Sequence, residues 1–170
     1  MPRFAPFILF LFGLTLSTAT IAQQPSRPEP GNAICTFSDD KQMSMRYERP
    51  AANGKKDELP AGKLWEPGDS PMHLFTEATL RLNNTDIPVG AYSVYFIPGK
   101  NDWTMIVSKN VTEGSKYDPQ QDLVRVQMEI GKLPQPEPQL TVYFARIGPK
   151  QCNMRVDFGK TRAYVDFNQK

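Results

Sequence analysis

The side chains best equipped for chemistry fall in one short stretch: Asp69, Ser70 and His73, the last being the only histidine in the chain. A Ser-His-Asp arrangement would have to run through His73, which makes it the one candidate catalytic residue. Nothing around Ser70 resembles the Gly-x-Ser-x-Gly elbow that exposes a hydrolase serine. A single histidine also excludes a multi-histidine zinc site. The acids occur as Asp39-Asp40, Asp57-Glu58 and Asp118 with Asp122, and none alternates oxygen ligands around a glycine as a calcium loop does. They read as solvated turn acids, while a carboxylate pair suited to glycoside hydrolysis depends on a distance in space. Gly159-Lys160-Thr161 lacks the earlier glycine of a phosphate loop, since Met154 stands there. No metal and no cofactor are expected.

Two connections are too long for hairpins and are where a binding site is sought: Pro50 to Pro71, with four prolines and three glycines, and Lys109 to Gln121. They supply Trp65, Tyr117 and Asp118, which with His73, two residues past the first, are the candidate binding residues. The competing reading is structural. Leu59, Leu64 and Trp65 would fold back to cover an open end of the domain, since a loop tryptophan needs burial for most of its area.

These loops must be carried by strands, because period-two alternation recurs between turn signals and no helical period is sustained. Val124, Val126, Met128 and Ile130 share one face against Arg125, Gln127 and Glu129. The pattern repeats in Cys152–Phe158 and in Arg162–Phe167. Further strands are predicted at 34–37, 43–48, 79–82, 92–97, 103–107 and 140–144. About nine half-buried strands predict an all-β domain, a two-sheet antiparallel sandwich of jelly-roll or Ig-like type, with a closed barrel as the alternative. Gly-Lys pairs at 54–55, 62–63, 99–100, 131–132 and 159–160 read as turns. Tyr92, Val94 and Phe96 oppose Ser93, Tyr95 and Ile97, so this strand is apolar on both faces and is expected to be buried on both, or else to line an apolar ligand face.

The N-terminus sets the compartment. Arg3 precedes the apolar run from Phe7 to Leu16, and Thr20-Ile21-Ala22 places small residues before a cut at Gln23. Residues 1–22 read as a signal peptide, the run being shorter than the roughly 20 residues that span a bilayer. Residues 23–32, with three prolines, read as a flexible tether, and residues 33–170 as one domain. A net charge of +2 is no nucleic-acid footprint. In an oxidising compartment the two cysteines, Cys35 and Cys152, are expected to form a disulfide, although either would also pack well as a free thiol in a core.

Several motifs occur in order along the chain: Tyr47-Glu48-Arg49-Pro50, Gly62-Lys63-Leu64-Trp65, Pro88-Val89-Gly90-Ala91-Tyr92-Ser93, Ile97-Pro98-Gly99 with Trp103, and Tyr117-Asp118 before Asp122. This set resembles the bacterial family known as domain of unknown function 2911, over about Cys35 to Phe167. The resemblance implies an exported, β-rich bacterial protein and no activity. Many members of that family carry Trp-Arg-x-Gly-Ala-Asn-Glu after the Gly-Lys-x-Trp, whereas here Trp65 is followed by Glu66-Pro67-Gly68-Asp69. An acid thus stands in the place of the arginine.

The functional expectation is an exported protein, periplasmic or extracellular, acting as a noncatalytic binding or accessory module. Its partner would be a small molecule, a glycan or a protein, with no nucleic acid and no membrane anchor once the leader is cut. The alternatives are a small hydrolase using His73 or loop carboxylates, and a structural protein working through an assembly surface.

Overall fold

The computed structural model describes Met1, residues 30–52 and residues 59–170. The expected leader, its cut at Gln23, the tether as far as residue 29, the Gly54-Lys55 turn and Asp57-Glu58 lie outside the described residues. Nine strands follow in order: β1 (Gly31–Thr36), β2 (Gln42–Tyr47), β3 (Met72–Thr76), β4 (Leu80–Leu82), β5 (Thr85–Ile87), β6 (Gly90–Pro98), β7 (Trp103–Ser108), β8 (Asp122–Gly148) and β9 (Gln151–Gln169). All pair antiparallel in the spatial order β1-β2-β3-β6-β7-β8-β9-β4-β5. The strand class is as expected, but the pairing forms one sheet rather than two. That sheet is not closed, so the alternative of a barrel does not form. The reason is β8, whose 27 residues pair with β7 through Asp122–Met128 and with β9 from Glu129 onward, leaving no break between layers.

The strand count agrees with expectation through compensating differences. The strands predicted at 123–130 and 140–144 are one, as are those at 152–158 and 162–167, whereas β3 and β5 were not foreseen. Gly131-Lys132 and Gly159-Lys160 are therefore not hairpin turns. They sit at a crease where the β8–β9 register shifts between Lys132 and Glu137 and again before Thr141. Pro134, Pro136 and Pro138 fall in this stretch, where the missing N–H groups cost no ladder bond because the strand bulges. β1 begins at Gly31, two residues before the expected boundary, because Gly31 pairs with Tyr47. A side chain at Gly31 would meet the Tyr47 ring at 2.3 Å.

Alternation buries one face of each strand in a single core that includes Met43, Met45, Leu74, Val94, Phe96, Trp103, Met105, Met128, Met154, Val156 and Phe167. Beyond the crease, the sheet turns back over itself. Ser38 N–H donates to the Pro149 carbonyl at 3.0 Å, and the Tyr47 hydroxyl accepts from Val142 N–H at 2.9 Å. Cys35 of β1 is disulfide-bonded to Cys152 of β9, with a Cα–Cα separation of 6.5 Å. The bridge joins the first strand to the last, since the two strands expected at the C-terminus are one.

β6 is buried on both sides. Tyr92, Val94 and Phe96 face the core. On the opposite face, Tyr95 and its β7 neighbour Ile106 are 1% and 0% exposed, so the loops must cover them.

A candidate binding groove around His73

The groove begins with register. On the face of the sheet turned from the core, Arg46 of β2 stands opposite His73 of β3, His73 opposite Ser93 of β6, and Ser93 opposite Ser108 of β7. Cross-strand neighbours lie roughly 5 Å apart at Cβ, so these four side chains form one polar row. Phe75, two residues on, is 40% exposed beside Ala91.

Two loops wall this row. The first, from Pro50 to Pro71, is laid along the sheet in its described parts. Ala51 forms a bridge with Gln139, and Trp65 forms one with Phe96. The Trp65 ring lies 5.2 Å from Phe158, 5.5 Å from Trp103 and 6.2 Å from Phe96. Trp65 is thus packed against the core, together with Leu59. After it, the chain turns at Glu66–Asp69, where Asp69 N–H donates to the Glu66 carbonyl at 3.0 Å. Gly68 has φ +75°, and a Cβ there would meet Glu48 Cβ at 2.6 Å, so conformation and close approach both require glycine.

The second loop, Lys109 to Gln121, is organised by its own short polar side chains, as Asn, Ser and Asp favour. Its base closes through Lys109 N–H to the Gln121 carbonyl at 2.9 Å. Asn110 Nδ2 donates to Ser115 Oγ at 3.0 Å, and Asn110 Oδ1 accepts from Thr112 N–H at 3.1 Å. The Asp118 carboxylate accepts from Gln120 N–H at 3.0 Å and so caps the short 3-10 turn at Pro119–Gln121. Tyr117 stacks edge-on to Tyr95, centroids 4.9 Å apart. Its hydroxyl donates to Asp122 Oδ2 at 2.8 Å and accepts from Arg125. Burial first, and then the bond to Asp122, push the Tyr117 phenol up to about 12.

Between these walls lie two adjoining cavities of about 520 and 580 Å³, which share Ser70, Pro71, His73 and Glu113. The first runs toward Arg46, Tyr47 and Phe75, the second toward Glu66, Lys116 and Tyr117. The end of one long loop and the middle of the other therefore border a single groove. Burial lowers the His73 imidazole from its ordinary value, Arg46 lowers it further, and Glu113 opposes them. Around neutral pH His73 is a neutral donor and acceptor. Ser70 Oγ donates to the Pro71 carbonyl at 3.4 Å. Among the described residues the His73 imidazole makes no hydrogen bond or ion pair, to Ser70, Asp69 or any other group.

Of the four binding candidates, His73 and Tyr117 line the groove. Trp65 packs against the core and Asp118 caps a turn, and neither lines it. Sequence reasoning missed Arg46, Glu66, Phe75, Glu113 and Lys116. Arg46 carried a usable signal, being the outward residue between buried Met45 and Tyr47. Among the described residues no group of three His, Cys, Asp or Glu side chains could hold a metal ion, and no helix is long and apolar enough to cross a membrane.

A family model described as Protein of unknown function (DUF2911) matches residues 29–167. No curated protein and no solved structure matches the chain.

Proposed function

The chain belongs to the DUF2911 family of proteins of unknown function, and from that premise we propose that it is an exported, noncatalytic binding module whose ligand lies in the His73 groove. The observation that carries this reading is the shared groove itself: both long loops border one concave site over a rigid sheet, the setting in which small-molecule sites usually form. Its acids, Glu48, Glu66, Asp69 and Glu113, outnumber its cations, Arg46 and Lys116. That balance favours a small polar ligand bearing an amine or another cation. Exposed Phe75 offers the apolar contact at one end.

Export is supported by the Cys35–Cys152 bond, which an oxidising compartment sustains. N-terminal sequencing of protein recovered outside the cytoplasm should begin at Gln23, and a chain that begins at Met1 counts against it. The same reading takes the folded-over sheet as a two-layer sandwich, with β1, β2, β3, β6 and β7 in one layer and the far parts of β8 and β9 in the other. The Tyr47–Val142 bond and the disulfide crossing between them support it.

The test of binding is a thermal-shift screen with a panel of amines, amino acids and short cationic peptides, run on the protein and on Glu113→Gln. A ligand should raise the melting temperature of the first, and the gain should shrink in the second. If every stabilising compound acts equally on both, the groove is not the site.

A further inference from the structure

The last strand is bent back beside itself. Cys152, Met154 and Val156 in its first half, and Ala163 and Phe167 in its second, face the core. Asn153, Arg155, Asp157, Arg162, Tyr164 and Asp166 alternate with these and point away from it. Gly159, at φ +55°, stands where the alternation changes parity. The halves then run antiparallel, tied at their ends by Gln169 N–H to the Lys150 carbonyl at 2.7 Å. Along the seam Asn153 Nδ2 donates to Asp166 Oδ1 at 2.7 Å. Nearer the bend, Arg162 grips both oxygens of Asp157 at 2.7 and 2.6 Å.

Asn153 and Asp157 point away from the core, yet they are only 8% and 2% exposed. Polar side chains that are buried on an outward face belong to a cleft, not to a convex surface. Two cavities of about 340 and 450 Å³ open on this seam and share Asn153, Tyr164 and Asp166. They have no lining residue in common with the His73 groove.

The chemistry of the seam is narrow. Gln127, Gln151, Asn153 and Asn168 each bring a side-chain amide, which donates and accepts at once. The carboxylates are already held: Asp166 by Asn153 and Gln151, and Glu129 by the Tyr164 hydroxyl at 2.7 Å. Arg162 is paired with Asp157, and Arg155 borders the same seam as Glu129 and Asp166, so both signs of charge face it and neither stands alone to draw an ion. The cavity beside Gln151 and Asn168 is lined mostly by polar atoms, which disfavours a hydrophobic ligand there. What remains are fixed donors and acceptors around one aromatic ring, which suit a ligand of many hydroxyls and little charge. Because these side chains hold one another in place, binding orders few of them.

We propose that the seam between the two halves of β9 binds a neutral, hydroxyl-rich ligand, a short saccharide, held by the side-chain amides with the Tyr164 ring as its platform. The test is NMR titration of the disulfide-bonded protein with maltotriose, cellotriose and triacetylchitotriose at millimolar concentration, read at the side-chain amides of Gln151, Asn153 and Asn168. At least one trisaccharide should shift these signals saturably. Tyr164→Ala should weaken that binding about tenfold, and His73→Ala should leave it unchanged. Asn168→Ala, at an exposed position near the end of the chain, should weaken binding several-fold and covers the case in which Tyr164→Ala fails to fold. The proposal is overturned if none of the three sugars moves these amides, or if the shifts they cause centre on Arg46, His73 and Glu113. Either result leaves the reading of the His73 groove to stand or fall separately.

Discussion

Replacing Cys35 and Cys152 together by alanine removes a cross-link between residues 117 apart in sequence. In the chain-entropy account, closing a loop of that length costs the unfolded state about 5 kcal/mol at 25 °C. Domains of this size are stable by only about 5–15 kcal/mol, so the loss is a large share of the whole. It corresponds to a fall in melting temperature of about 15–20 °C. The bridge also fastens β1, the first edge of the open sheet, to β9. Its loss should therefore free that edge first. The assay is urea unfolding of the oxidised protein, the same protein under reductant, and the double alanine variant. Reduction leaves both sulfurs in the core, and so separates the cross-link from any packing defect. The account expects both altered forms to lose several kcal/mol, with most of the loss already present on reduction. A loss below about 1 kcal/mol on reduction, at an unchanged denaturant slope, would refute the entropic reasoning.

Other consequences follow from individual side chains. The His73 imidazole is held below its ordinary value of 6.5, so the unfolded chain binds the proton more readily. Stability should then be complete above pH 6.5 and fall as the pH drops through the lower folded value, and His73→Gln should flatten that slope in pH-dependent thermal melts. Gly68→Ala forces a side chain into a positive φ and onto Glu48, and should cost about 1–2 kcal/mol or more, read by urea denaturation. Trp65→Ala removes a ring packed on Phe96, Trp103 and Phe158, and should cost about 3 kcal/mol by the same assay. In ultraviolet difference titration one tyrosine should ionise only near 12, and that step should vanish in Tyr117→Phe.

Much of the strand content was legible because burial on one face imposes period two. β2, β8 and β9 show it, whereas β6 and β7, buried on both faces, were legible as apolar runs rich in aromatic and β-branched residues. β3 escaped because Phe75 is apolar and exposed, which blurs the alternation of Met72, Leu74 and Thr76. β5 is three residues long, too short for any period, and its signal lay in the Asn83-Asn84 turn before it, where Asn83 takes φ +53°. The continuity of β8 was hidden by its prolines, which read as a loop and act as a bulge. Pairing order, and hence one sheet instead of two, is a property of contacts distant in sequence and left no local trace.

The site divided along similar lines. His73 and Tyr117 were found from residue type and loop length. Trp65 was offered for binding by its place in a long loop and for burial by its apolar area, and its ring is seated against the core. Glu113 and Lys116 were invisible as groove residues, since only the folding of Lys109–Gln121 over the sheet brings them opposite His73.

The most direct test of the central claim, that the two loops and His73 form one ligand groove, is backbone and imidazole NMR with a stabilising amine from the thermal-shift screen. The account predicts that the His73 ring signals and the amides of Arg46, Ser70, Glu113 and Lys116 move together with one saturation curve. Shifts confined to one loop, or centred elsewhere while His73 stays still, would contradict it.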